Sequence, residues 1–125
     1  MDNQAVLQKV RSQMELSEAT FAVAEKLSDK ALNLIEGEGI VFEEYSQIGF
    51  LSHLFNMTAR MEHSEHLPAI DADVMEQLEE EPLRVADGVA DLWSKQFGER
   101  TDDAERALIA IHLQTAISKQ NKNKN

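Results

Sequence analysis

The sequence predicts an all-α domain, a compact bundle of five or six helices. Apolar residues recur at spacings of three and four along most of the chain, which is the period of one helix face. Strand-like alternation is nearly absent, and the two Pro and five Gly punctuate the periodic stretches without forming a linker. With 125 residues, 42% of them apolar, there is room for one domain and one hydrophobic core. The division read from the pattern is an N-terminal helix or extension over 1–16, a helical domain over 17–119, and a disordered tail over 120–125.

Residues 3–15 suit a short amphipathic helix with Leu7, Val10 and Met14 on one face, and the pattern leaves open whether it fuses with the next. From Leu16 or Ser17 a longer helix runs to about Glu36, striped by Phe21, Ala24, Leu27, Ala31, Leu34 and Ile35. Gly37 and Gly39 supply its stop, since glycine tolerates the left-handed conformation beyond a helix end. The next helix, about Phe42 to Glu62, is apolar on two faces: Ile48, Leu51 and Phe55 on one, Phe50, Leu54, Met57 and Met61 on the other. Such a helix belongs in the centre of a bundle. A shorter helix over 71–80 follows Asp71 as N-cap. Pro82 fits the first turn of another that buries Ala86, Ala90, Trp93 and Phe97 and ends at Gly98. The last helix starts after Thr101 as N-cap, with Asp102 and Asp103 at the positive end of its dipole, and runs to about Lys119.

The formal net charge is −11, and between Glu62 and Glu105 there are 14 acidic residues against Arg84, Lys95 and Arg100. Such a surface repels phosphate backbones, so direct binding to nucleic acid is not expected. The basic ending KQNKNKN lacks an aromatic residue to stack on bases and reads as a frayed terminus. The absence of Cys excludes disulfides, thiolate metal sites and thiol nucleophiles. The start lacks the basic-then-apolar order of a secretory signal, and no apolar run approaches the roughly 20 residues that cross a bilayer. The expectation is a cytoplasmic protein without a membrane partner.

Four histidines carry the chemistry available. His53 lies mid-helix, with Asn56 and Arg60 following on nearly the same line. His112 lies mid-helix among apolar neighbours, with Glu105 and Lys119 two turns to either side and Thr115 one turn away. One reading makes each a satisfied core or interface histidine. The other makes the matched pair a shared site, where a neutral imidazole with a pKa of about 6.5 acts as a nucleophile towards phosphorus. Arg60 is then placed to hold phosphate oxygens through paired hydrogen bonds. The cluster Glu62, His63, Glu65, His66 is one residue short of either zinc-protease spacing. With Pro68 close behind, it reads as a helix end, and no metal or cofactor is expected. No nucleophile elbow, phosphate-binding glycine loop or dinucleotide fingerprint occurs. Glu43, Glu44 and the acidic run 79–81 are indistinguishable from a solvated face, so the chain is not read as an enzyme.

These segments resemble the phosphotransferase-system regulation domain (PRD) family. LSHLFNMTAR supplies Leu51, His53 and Arg60 in the manner of that family's first histidine motif. FGERTDDAERALIAIHL supplies Gly98, Asp102, Asp103, Glu105 and His112 in the manner of its second. ALNLIEGEGIVF looks like the family's first helix and turn, so the likeness covers about residues 25–118. The family's Asn-Pro after the first motif is replaced by His66-Leu67-Pro68, and its central Tyr-Pro by Glu81-Pro82. The resemblance implies a five-helix domain that dimerises, here as a stand-alone single copy. It implies His53 and His112 as phosphoacceptors and Arg60 as a phosphate partner. The implied donor is the histidine phosphocarrier protein or a sugar-permease subunit. The implied role is non-enzymatic regulation of transcription or antitermination of a sugar-utilisation operon through a separate protein. Two alternatives stay open: a helical interaction module with unphosphorylated histidines, and a bundle that binds a metal or small ligand through His53, His112 and nearby carboxylates.

Overall fold

Residues 17–122 are described by the structure, a computed structural model, and they form five helices. In chain order these are α1 Glu18–Gly37, α2 Glu44–Glu62, α3 Ala72–Glu76, α4 Glu80–Phe97 and α5 Asp103–Lys122. No strand occurs among the described residues. The helix read over 3–15, and with it the 1–16 extension, lies outside them.

Ser17 starts α1: its hydroxyl accepts the backbone N–H of Thr20 at 3.1 Å, which satisfies one of the donors orphaned at a helix start. The buried face is Phe21, Ala24, Leu27, Ala31 and Ile35, as the three-and-four spacing requires, and Leu34 stands at its edge. Of the two glycines expected to stop the helix, Gly37 is still helical. Gly39, at φ +79, makes the left-handed turn.

Helix α2 begins at Glu44, not at Phe42, because Phe42 leaves the helix to stack on Phe50 with ring centroids 4.8 Å apart. Phe50, Leu51, Leu54, Phe55 and Met57 are all fully buried, so α2 occupies the middle of the bundle. Phe21 of α1 meets Phe55 edge-on at 5.4 Å. The helix read over 71–80 shortens to Ala72–Glu76, and Asp71 precedes it without a side-chain capping bond. None of its five residues is buried, so little tertiary packing extends it. Gln114 of α5 ties down the chain beyond: its side chain accepts the Glu79 N–H at 2.9 Å and donates to the Gln77 carbonyl at 3.1 Å.

Pro82 lies in the first turn of α4, and Gly98, left-handed at φ +69, ends that helix. Thr101 does not cap α5. Its hydroxyl donates to the Ala90 carbonyl at 3.0 Å and its N–H reaches Ser94 Oγ at 3.0 Å, which straps the turn onto α4. The carbonyl that accepts the first bond of α5 belongs to Asp102. Helix α5 continues past Lys119 to Lys122. Gln120 anchors that last stretch, accepting the Val41 N–H at 3.2 Å and donating to the Gly39 carbonyl at 2.8 Å.

Candidate functional site

Helices α2 and α5 run antiparallel, so their polar positions meet in reverse order. Seven residues separate His53 from Arg60 on α2, and seven separate Glu105 from His112 on α5. Two helical turns put each pair on one face. Glu105 therefore comes to lie between Arg60 and His53, and His112 beside His53 and Gly49.

Glu105 is the hub. Its side chain is 2% exposed and accepts Arg60 Nε at 2.8 Å on one oxygen and Arg60 Nη2 at 2.8 Å on the other. This is the two-pronged pairing that suits a guanidinium and a carboxylate. His53 Nε2 approaches Oε1 at 2.9 Å. Burial pushes the Glu105 carboxyl up, but the bonds from His53 and Arg60 and the Arg60 charge outweigh it, and the group is held below the usual carboxylate range. Since a carboxylate only accepts, Nε2 carries the proton of that bond, and in the neutral form of the ring the lone pair sits on Nδ1. Nδ1 is buried without a partner, as among the described residues is Ser28 Oγ, and such atoms are exceptions in a folded interior.

The His112 ring lies 5.8 Å from the His53 ring, nearly parallel at 18°, with the edge of Phe50 against it at 5.7 Å. Burial, then the charge of His53, holds its pKa below the ordinary 6.5. It is therefore a neutral imidazole near pH 7. His112 hydrogen-bonds to no described residue, and its nitrogens are not among the buried atoms without partners.

The expected His53, His112 and Arg60 are thus brought together. Glu105, which the sequence places on the His112 line, turns out to join Arg60 and His53. Its signal in the sequence is the seven-residue spacing from His112, which matches that of Arg60 from His53. The other members of the two polar lines stand apart: Asn56 and Thr115 are exposed, and Lys119 turns to Ser46 Oγ at 3.3 Å. His63 is the C-cap of α2. His66, largely exposed, faces both oxygens of Asp102 at 3.0 Å. Among the described residues no group of three or more His, Asp or Glu side chains is placed to hold a metal ion.

The chain is thus an all-helical bundle with paired histidines across two antiparallel helices. Among solved structures the chain is similar to a PRD-containing transcription regulator from Lactobacillus casei ATCC 334. The TM-score is 0.73 at 25% sequence identity, over 90% of this chain and 95% of that one. The resemblance seen in the two histidine motifs thus extends to the architecture. No protein-family model matches the sequence, and no curated protein matches it. Among the described residues no helix is long and apolar enough to cross a membrane.

Proposed function

We propose that this chain is a non-enzymatic regulatory module of the phosphotransferase system, with His53 and His112 as phosphoacceptors. The observation that carries the reading is the pair of stacked imidazoles set against a buried carboxylate–guanidinium pair. In the transfer, a lone pair on the acceptor imidazole forms a new N–P bond as the N–P bond of a phosphohistidine donor breaks. The donor ring, protonated on its other nitrogen, leaves as neutral imidazole, and the acceptor ring releases its own proton to solvent. Glu105 commits two of the five Arg60 N–H donors, and the remainder suit phosphate oxygens. The new group adds about −1.5 to −2 charge beside Glu105, enough to force α2 and α5 to a different spacing.

The partners in this reading are a second copy of the chain, a histidine phosphocarrier protein or sugar-permease subunit as donor, and a separate regulator of transcription or antitermination. The setting is the cytoplasm of a bacterium. The regulatory part is supported by the similar Lactobacillus protein, a transcription regulator. The acidic surface argues against direct contact with nucleic acid.

The test is incubation with radiolabelled phosphocarrier protein and permease subunit, comparing wild type with His53→Ala, His112→Ala and the double variant. Acid-labile label that falls in each single variant and vanishes in the double one is the expected result. Label that persists in the double variant assigns the wrong residues. A second reading, an interaction module with unmodified histidines, is favoured by the closure of His53, whose Nδ1 is buried. A wild type that no donor labels, yet which still forms a dimer in light scattering, supports that one.

A further inference from the structure

Gly49 stands in the interior of α2, where glycine is less stable than alanine by about 0.5–1 kcal/mol. Nothing local requires it. Its backbone is not left-handed, unlike Gly39 and Gly98. A Cβ built on it meets a single atom within 4 Å, His112 Cε1 at 3.9 Å, an ordinary contact. The residue itself is exposed. What the missing side chain leaves open is therefore the edge of the His112 ring, and Cε1 is the carbon between its two nitrogens. His53, across the stack, is closed on both sides: Nε2 is held by Glu105, and Nδ1 is shut off from solvent.

We propose that Gly49 is an access window in α2 through which an electrophile reaches the His112 nitrogens. Of the paired histidines, His112 is then modified first while His53 stays closed behind Glu105. The inference deepens the phosphoacceptor reading and rests on it for the identity of the electrophile, a phosphoryl donor. The access itself does not depend on it. A side chain longer than a methyl group at position 49 stands over the ring edge. An alanine methyl only touches Cε1 at 3.9 Å, without reaching past it, and removes the helix penalty of glycine.

The experiment uses the full chain and diethyl pyrocarbonate, which acylates accessible neutral imidazole, with site assignment by peptide mass spectrometry. His112 of the wild type reacts about tenfold faster than His53, and Gly49→Leu slows His112 about tenfold while Gly49→Ala leaves it nearly unchanged. Circular dichroism checks that both variants keep their helices. His53 reacting as fast as His112 in the wild type overturns the proposal without recourse to any variant. So does an unchanged His112 rate in a folded Gly49→Leu protein. The same proteins are then offered the labelled phosphocarrier. Acylation that shows the window, in a wild type that no donor labels, leaves the access standing and removes the phosphoacceptor reading. Equal phosphoryl labelling of wild type and Gly49→Leu keeps that reading and removes the window.

Discussion

Two buried polar clusters bind α2 to its neighbours, and they are built on different terms. Towards α4, Trp93 Nε1 donates to Thr58 Oγ1 at 2.8 Å, and Thr58 donates in turn to the Leu54 carbonyl at 2.8 Å. Thr101 and Ser94 complete that side with bonds to each other and to the Ala90 carbonyl. Every group there is neutral and partnered. Towards α5, the cluster holds a carboxylate, a guanidinium and an imidazole with an orphaned nitrogen. A neutral, satisfied cluster makes the bundle specific at little risk. A charged one is costly to bury and tolerable only while its pairing is intact. The first cluster is what a fold needs, and the second is more than a fold needs.

Breaking the charged cluster tests that contrast most severely. Arg60→Ala strands the Glu105 charge and lowers stability in urea unfolding by about 3 kcal/mol, the low end for a buried pair, because the guanidinium is 20% exposed. Adding Glu105→Gln recovers much of the loss, since the charge itself is then gone. Failure of the double variant to recover places the effect in packing and not in charge. The neutral cluster yields less: Thr58→Val takes the acceptor from Trp93 and costs about 2 kcal/mol, with no change in acylation of His112.

Acidification separates the clusters without mutation. His112 has a depressed pKa in the folded state, so the unfolded chain binds the proton first as the pH falls. Its contribution is complete above its ordinary value of 6.5 and is lost as the pH drops from there through the lower folded value. The melting temperature of the wild type therefore declines on that side, and His112→Gln flattens the decline. A Cε1 proton titrating above 6.5 in NMR contradicts it. The smallest effect has the opposite sign: Gly49→Ala stabilises by about 0.5 kcal/mol, read as a raised urea midpoint.

The helix stripes were legible because their period is set by backbone geometry alone. Phe21 through Ile35 and Phe50 through Met61 fall on the faces their spacing assigns. Boundaries were less legible where tertiary contacts decide them. Phe42 leaves its helix for a ring partner, Thr101 exchanges a cap for a strap across to α4, and Gln120 holds on a last turn that reads as a tail. The site was half legible. His53, Arg60 and His112 share two helical lines that any helical wheel displays. That Glu105 faces Arg60 and His53, and that Gly49 faces His112, depends on which helices cross and in which direction. A single sequence does not state that.

Trp93 is the only tryptophan in the chain, and its side chain is wholly inaccessible to water. Its one polar bond runs to Thr58, on the same helix as His53 and two residues from Arg60. The protein thus contains a native fluorophore attached to the moving part of its own proposed mechanism. Emission from an indole in a dry, hydrogen-bonded setting shifts to longer wavelength once water gains entry. A displacement of α2 against α4 becomes visible by fluorescence, with no label introduced.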